Sequence, residues 1–192
     1  MNNPVRPLIQ EWYEIPILRR MATTNQNFHN ALEIGCGNGN GTRLIKKHFN
    51  PSQIEAIDLD ERMIGIAQKR KRDRSINFKV MNAAKLEYPD ASFDIIFDFG
   101  IIHHIPNWRD CIRELARVLG DGGYLLLEEL AIESFSGFPG MLWRRILAHP
   151  YAEMFAFNEL ENCLQEAGFT IIDKKYSNPL GLLKLISLVA QK

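Results

Sequence analysis

The stretch Ala31-Leu32-Glu33-Ile34-Gly35-Cys36-Gly37-Asn38-Gly39 decides the fold, because it predicts a buried strand with an acid near its end that runs into a glycine loop. Glycine stands at every second position of the loop, and a residue without a Cβ lets the chain turn sharply and lets a ligand touch the backbone. The segment Thr42–His48 has helical character, and a helix N-terminus offers unpaired N–H groups and partial positive charge. A strand, a glycine loop and a helix start predict a site for a nucleotide-like ligand.

The spacing of the glycines narrows the choice of ligand. A phosphate-binding P-loop ends in Gly-Lys-Ser/Thr, whereas this loop ends in Asn38-Gly39-Asn40-Gly41 and the next lysine is Lys46. A dinucleotide-binding loop has glycines in a 1-3-6 pattern, and the sixth position counted from Gly35 is Asn40, so NAD fits poorly. The loop alone leaves open a purely structural turn between a strand and a helix.

Segments beyond the loop continue an alternation of strands and helices. The run Gln53–Asp58 predicts a second strand, and its terminal acid stands 19 residues beyond Gly39, where it can accept hydrogen bonds from ribose hydroxyls. Further strands are predicted at Ile76–Met81, Phe93–Asp98, Tyr124–Glu129, Phe169–Tyr176 and Leu182–Ala190. Strands that alternate with helices predict a parallel sheet with helices on both faces.

Two of the predicted helices have sequence signals at their ends. Pro106 favours the first turn of a helix over Asn107–Leu119, and Gly120 is a suitable C-cap for that helix. Asn158 and Glu161 fit an N-cap and its partner in the third helical position. These helices are expected to cover the predicted sheet.

In this order, the motifs resemble those of the class I S-adenosylmethionine (SAM)-dependent methyltransferases, from Glu-x-Gly-x-Gly-x-Gly to the turn at Gly122-Gly123. The resemblance covers about Glu33 to Leu130. The tract Tyr88–Asp94 and the pair His103-His104 look most like the small-molecule enzymes of the ubiquinone/menaquinone methyltransferase type. The resemblance implies an α/β fold in one domain over residues 1–192. Its sheet is Rossmann-like, doubly wound, seven-stranded and mostly parallel, with the last strand antiparallel and inserted beside the fifth.

The same resemblance implies SAM as the cofactor and S-adenosyl-L-homocysteine (SAH) as the product. The implied cofactor-binding residues are Glu33, Gly35, Cys36, Gly37, Asp58, Leu59, Asn82, Ala83 and Asp98. Glu33 is expected to hold the methionine ammonium beneath the loop, and Gly35 and Gly37 let the main chain approach the methionine and ribose. Asp58 is expected to bind both ribose hydroxyls. Asp60 is its rival, although it also suits the N-cap of the next helix.

Later positions are assigned to the adenine and to the methionine end of SAM. Leu59 is expected to pack against the adenine, and Asn82-Ala83 to meet its edge. Many relatives have an aspartate where this chain has Asn82, but an asparagine carbonyl can also accept a hydrogen bond from the adenine amine. Asp98 ends the fourth predicted strand and is expected near the methionine moiety.

The residues indicate no definite general base. A methyltransferase mainly aligns the acceptor with an already activated methyl group and excludes water. The candidates are His103, Asp98 and Glu129, with Glu128 beside them, because a histidine past a strand end can take a proton from a phenol or enol at neutral pH. His103 is the better histidine because His104 matches a position that usually packs. The alternative is that both histidines are structural.

Composition and charge bound the class of protein. The 192 residues suit one domain, and 23 Lys and Arg balance 23 Asp and Glu, whereas binding a polyanion needs an excess of cations. The basic run Lys69–Arg74 is expected to be the solvated end of a helix, with a binding patch as the alternative. Cys36, Cys111 and Cys163 lie far apart, which predicts packed, reduced thiols, no metal site and a cytoplasmic location.

Two segments fall outside the common core of such a sheet. An N-terminal arm, residues 1–28, contains the apolar and partly helical run Pro7–Met21, from which Tyr13 could cap the cofactor. A lid or substrate segment, about residues 132–157, is rich in aromatic and aliphatic side chains. These segments favour an apolar or aromatic substrate and permit contact with a membrane surface, although the longest apolar stretch is too short to span a bilayer. Simple packing on the sheet is the alternative.

The leading prediction is a SAM-dependent methyltransferase that acts on a small molecule. A SAM-binding scaffold without catalysis is one alternative, and methylation of a macromolecule is another. Neutral charge argues against a nucleic-acid substrate, as does Asp98-Phe99-Gly100 where nucleobase methyltransferases carry a motif like Asn-Pro-Pro-Tyr. An NAD-binding domain is the least favoured reading. The acceptor and the oligomeric state stay open.

Overall fold

The computed structural model describes residues 6–22, 27–135, 153–178 and 184–192. Its strands are β1 (Asn30–Ile34), β2 (Gln53–Asp58), β3 (Ile76–Val80), β4 (Phe93–Phe99), β5 (Leu119–Leu130), β6 (Thr170–Ser177) and β7 (Leu185–Gln191). Its α-helices are α1 (Arg6–Ile9), α2 (Ile15–Met21), α3 (Asn40–Phe49), α4 (Glu61–Arg70), α5 (Trp108–Val118) and α6 (Phe157–Glu166). A π-helical turn (Gln10–Glu14) joins α1 to α2, and 3-10 turns lie at Ile102–His104 and Ile132–Phe135.

The seven strands form one sheet in the order β3-β2-β1-β4-β5-β7-β6. Strands β1 to β5 pair in parallel, and β7 is antiparallel to both of its neighbours, β5 and β6. The predicted fold class is therefore confirmed, including the insertion of the last strand beside the fifth.

Alternating side chains of the central strands feed two apolar layers, as expected for a sheet that is covered on both faces. One layer joins α5 and α6 to the sheet, and its buried members include Leu32, Ile96, Leu125, Ile112 and Leu164. The other layer joins α2, α3 and α4 to the opposite face, and its buried members include Ala31, Phe97, Leu18, Leu44 and Ile64. Because both faces are buried, the polar groups of the central strands emerge at the strand ends.

The strand order reverses between β1 and β4, and this reversal positions the candidate site. Ile34, the last residue of β1, pairs with Ile57 of β2 on one side and with Asp98 of β4 on the other. Asp98 in turn pairs with Leu127 of β5. The carboxyl ends of these four parallel strands therefore share one edge, and a crevice opens at such a switch point.

Several predicted boundaries are wrong for identifiable reasons. Gly120 is not a C-cap, because Leu119 caps α5 and already begins β5 by pairing with Phe93 of β4. The N-cap of α6 is Ala156, two residues before the predicted Asn158, and its N–H donates to Glu159 Oε2 at 2.8 Å.

Glu161 has a tertiary role in place of the predicted cap. It accepts hydrogen bonds from Lys174 and Tyr176 of β6 and so ties α6 to the sheet edge. Of the predicted lid, residues 136–152 lie outside the described residues.

The N-terminal arm packs beside the helix that follows the glycine loop. Ile15 and Leu18 of α2 are buried in the apolar layer. Asn40, the first residue of α3, donates its Nδ2 hydrogen to Gln10 Oε1 at 2.8 Å. An ion pair between Lys47 Nζ and Glu11 Oε1, 2.7 Å apart, lies further along α3. The helical character predicted for Pro7–Met21 is confirmed, and the arm lies against the start of α3.

Candidate functional site

The glycine loop between β1 and α3 follows a backbone path that other residues rarely adopt. Gly35, Gly37 and Gly39 have φ angles of +63°, +52° and +83°. A Cβ on Gly35 would collide with the side chain of Ile101, whereas a Cβ on Gly37 would meet no protein atom within 4 Å. The loop is tied to the neighbouring strand because Cys36 N donates to Ile57 O at 2.9 Å. The loop is therefore held firmly while the space beside Gly37 stays open to a ligand.

Asp58 faces this loop from the tip of β2. Its Oδ2 accepts the Gly37 N–H at 2.8 Å, and its Oδ1 accepts the Asp60 N–H at 2.9 Å. Asp60 turns away, since it caps α4 by accepting the Arg62 N–H at 2.9 Å and also pairs with the Arg62 guanidinium. The N-cap prediction for Asp60 is confirmed. The geometry brings Asp58, and not its rival, to the loop.

A cavity of ≈ 220 Å³ opens beside the loop and Asp58. The predicted residues that line it are Gly35, Asp58, Leu59, Asn82 and Ala83, and they are joined by Ile57, Met81, Ile101, His104, Ile105, Pro106 and Asn107. Leu59 is 72% exposed, which is unusual for an apolar side chain and leaves its face available for stacking. Asn82 Oδ1 accepts the Ala84 N–H at 2.9 Å, and its second lone pair can accept another hydrogen.

Glu33 lies buried beneath the start of α3. It accepts a hydrogen bond from the Thr42 hydroxyl, and a Cβ on Gly41 would collide with its carboxyl group. Burial raises the pKa of Glu33 to about 8, the Thr42 hydrogen bond opposes this, and the nearby charges of Asp58 and Asp98 raise it further. An acid with so high a pKa would gain stability from a cation beside it.

The thiol of Cys36 lies inside the loop and is buried. Burial raises its pKa far above the usual range, and the charges of Glu33 and Asp58 add to that effect. A thiol that stays protonated is a poor nucleophile, so the packing role expected for Cys36 agrees with its surroundings.

A second polar group lies at the tips of β4 and β5, on the other side of the switch point. Glu129 is fully buried and accepts the Ile102 N–H at 2.5 Å, and its Oε2 lies 2.5 Å from His103 Nδ1. The carboxyl of Asp98, whose Oδ1 accepts the Ile101 N–H at 3.0 Å, lies near enough to lower the pKa of Glu129. Burial raises the pKa of Glu129, and its hydrogen bonds oppose the rise. The three candidate catalytic residues are thus brought together.

One premise about the two histidines is wrong. His104 was expected to be the packed member, but it lines the cavity, while His103 is only 3% exposed. The reason is the 3-10 turn, which points His103 inward to Glu129 and leaves its neighbour at the cavity wall, with ring centroids 4.1 Å apart. Glu128 points elsewhere and accepts the Ser187 hydroxyl at 3.2 Å.

Sequence reasoning missed Thr42 and Ile101. The hydroxyl that meets Glu33 stands in a helix, where threonine carries no motif signal. Ile101 fills the space that Gly35 leaves, and that contact joins segments 66 residues apart. Tyr13 lies on the arm and is half-buried. Among the described residues, no three His, Cys, Asp or Glu side chains gather into a metal-binding cluster, and no helix is long and apolar enough to cross a membrane.

Comparisons with known proteins agree with this geometry. A family model described as a methyltransferase domain matches residues 32–127. The 27-O-demethylrifamycin SV methyltransferase of Amycolatopsis mediterranei is 32% identical over 143 residues, which cover 71% of this chain and 52% of that protein. The fatty-acid O-methyltransferase of Mycolicibacterium smegmatis is 33% identical over 95 residues, which cover 50% of this chain and 35% of that protein.

A solved structure shows the same fold. The SAM-dependent methyltransferase from Mesorhizobium loti matches with a TM-score of 0.77 at 17% identity, over 92% of this chain and 96% of that one. A doubly wound sheet with a glycine loop and an acid at its switch point defines a nucleotide-type cofactor-binding domain. The chain belongs to the class I SAM-dependent methyltransferase family, whose cofactor is SAM. It spans about half or less of the length of the curated relatives it matches.

Proposed function

We propose that the protein transfers a methyl group from SAM to a small-molecule acceptor with apolar or aromatic character. The observation that carries the proposal is the cavity that Gly35, Asp58 and the exposed Leu59 line together at the glycine loop. Two matched relatives are named for a rifamycin and for fatty acids, which supports an acceptor of this kind. The resemblance to the ubiquinone/menaquinone type stays a prediction.

The cofactor roles follow the geometry around the loop. Asp58 would accept hydrogen bonds from the ribose hydroxyls while it keeps its contact with the loop N–H, as a carboxylate with several lone pairs can do. Glu33 would hold the methionine ammonium, which would remove the unfavourable burial of its charge. Leu59 would stack on the adenine, and Asn82 with Ala83 would meet the adenine edge. Asp98 would lie near the methionine end.

When bound, SAM supplies a methyl group that is attached to a sulfonium sulfur, and this sulfur is a good leaving group. The chain's own residues then have to orient the acceptor, exclude water and accept a proton. We assign the proton to His103, because its Nδ1 lies 2.5 Å from Glu129 Oε2, and a histidine oriented by a carboxylate is a common general base. Glu129 is the positioning residue, and the hydrogen bond that it accepts from the Ile102 N–H fixes its carboxyl group. A carboxylate beside one ring nitrogen fixes the orientation of the histidine.

Formation of SAH tests the proposed function. The protein is incubated with methyl-labelled SAM and with hydroxylated fatty acids, hydroxylated aromatic polyketides and phosphate-bearing small molecules as separate acceptor classes. We expect label in an apolar or aromatic acceptor, with equal amounts of SAH. Labelling only of RNA or protein would favour a macromolecular substrate. Tight SAM binding with no SAH formed from any class would favour a non-catalytic scaffold.

We also propose a cytoplasmic location. Cys36, Cys111 and Cys163 are free thiols in the structure, and all three are buried. Unpaired thiols suit a reducing compartment. Fractionation of cells that express the protein, with an antibody against it, would place it in the cytoplasmic fraction. Recovery in an oxidising compartment with paired thiols would contradict this location.

A further inference from the structure

A basic groove, separate from the cofactor cavity, lies between α3 and the end of α4. It encloses ≈ 410 Å³. Its floor is apolar, formed by Ala67, Ile76 and Phe78, and the asparagines and glycine that end the loop close one side. Six cationic side chains line it, namely Arg43, Lys46, Lys47, Arg70, Lys71 and Arg72, against one carboxylate, Asp73. In a chain of zero formal net charge, this is a strongly positive region.

An apolar surface lies next to this groove on the N-terminal arm. Trp12 is 78% exposed, Leu8 is 57% exposed and Ile9 is 40% exposed. Large apolar side chains that are exposed together on one short helical segment mark a contact surface more often than isolated ones do. Arg19 and Arg20 are exposed further along the same arm.

Glu11 connects the two features. Its carboxylate lies 2.7 Å from Lys47 Nζ and 3.7 Å from Arg43 Nη2, and both cations line the groove. Leu8 and Ile9 end α1 directly before the π-helical turn, and that turn carries both Glu11 and Trp12. The exposed apolar residues are therefore contiguous with the rim of the basic groove.

From this juxtaposition we infer that the face formed by the arm and the groove docks on an anionic lipid bilayer. The tryptophan and aliphatic side chains would enter the headgroup region, where indole rings are favoured, and the lysines and arginines would contact lipid phosphates. Charge complementarity and exposed apolar area together favour this partner, and neither depends on the proposed methyl transfer.

A nucleic acid is the other polyanion to consider. It would use the groove cations, but it offers no apolar phase for Leu8 and Ile9. A bilayer uses both parts of the face. Each basic residue near an anionic surface contributes about fivefold in binding, so the groove alone would give strong discrimination between anionic and neutral lipid.

Co-sedimentation with vesicles tests the inference on the whole chain at physiological ionic strength. One set of vesicles is phosphatidylcholine alone, and the other contains added phosphatidylglycerol. The variants are Lys71→Glu with Arg72→Glu, and Trp12→Ala. Lys85→Glu with Lys175→Glu is the matched charge control, since both lysines are exposed and lie outside the groove lining. Ile172→Ala is the matched apolar control, with Ile172 49% exposed on β6.

We expect binding to the anionic vesicles, weakened about 25-fold or more by the groove pair and roughly tenfold by Trp12→Ala. The two controls should bind as the wild type does. SAM affinity, measured separately, should not change in any of these variants, which separates this test from that of the cofactor site. Absence of binding to anionic vesicles overturns the inference, as does equal loss in the charge control. Retention on single-stranded RNA that is lost in the groove pair but kept in Trp12→Ala would assign the groove to nucleic acid instead.

Discussion

The tips of β1 and β2 differ from the tips of β4 and β5 in how their polar groups are held. At the first pair, Asp58 accepts the N–H of Gly37, a residue of the glycine loop that stands 21 residues before it. At the second pair, Glu129, His103 and Asp98 form a buried cluster from three separate segments. The first region offers an open cavity and the second a buried acid–base pair. The comparison separates a region for cofactor binding from a region for proton transfer.

The largest effect is expected at the buried pair. If His103 accepts the proton, His103→Ala should lower the single-turnover rate with a hydroxyl acceptor by about 10²–10⁴-fold. SAM affinity should stay unchanged, because His103 lies outside the cofactor cavity lining. His104→Ala is the matched control, and it should reduce the rate far less. A larger loss of rate in His104→Ala than in His103→Ala would refute the assignment.

The next effect is expected at the tip of β2. Asp58→Ala should weaken SAM binding by about 100-fold, because charged hydrogen bonds to two hydroxyls are lost together with those that order the loop. Asp60→Ala is the control, since Asp60 caps α4 and faces away from the loop. It should lower the free energy of unfolding by about 1 kcal/mol and leave SAM affinity intact. Calorimetric titration measures the SAM affinity, and thermal melting measures the stability. Equal SAM affinities for Asp58→Ala and the wild type would remove the ribose assignment.

A pair of glycine substitutions separates support of the loop from contact with the ligand. Gly35→Ala should lower the free energy of unfolding by about 2–4 kcal/mol, since the new Cβ meets Ile101 at a positive φ. Gly37→Ala should cost only about 1 kcal/mol, because no protein atom is close. Its main effect should be weaker SAM binding. Chemical denaturation gives the stabilities, and a larger loss of stability in Gly37→Ala would contradict the loop geometry.

A further expected effect, small for each unit of pH, is a pH dependence of stability due to Glu33. Its pKa of about 8 in the folded protein exceeds the ordinary value of 4.5, so the folded state keeps a proton that the unfolded state has already released. Stability should therefore fall as the pH rises from 5 to 8, by up to about 1.4 kcal/mol per pH unit. Glu33→Gln should flatten this slope, and bound SAM should reduce it.

Glu55→Gln is the matched control for that slope. Burial alone would raise the pKa of Glu55, but hydrogen bonds from Lys79 and Asn77 lower it below the ordinary value. Its contribution to stability is lost only at acidic pH, so the substitution should leave the slope above pH 5 unchanged. An unchanged slope in Glu33→Gln, measured by thermal melting, would show that Glu33 is not the titrating group.

The sequence predicts the first region far better than the second for a physical reason. The loop at Gly35 and the acid at Asp58 follow local rules, since glycine conformation and strand-end acids are properties of short segments. The cluster at Glu129 depends on the register of β5 against β4 and on the 3-10 turn that swings His103 inward. No local pattern encodes that turn, so the prediction that His104 is the packed histidine was wrong. Glu161 illustrates the same point, because a tertiary contact with β6 replaced its expected cap.

Isothermal titration calorimetry of the wild-type protein with SAH is the most direct test of SAM-type cofactor binding. We expect saturable binding of SAH at one site per chain, and we expect SAM but not NADH to compete for this site. Binding of neither SAH nor SAM by folded protein would contradict the assignment of the cavity beside Gly35 and Asp58 to this cofactor.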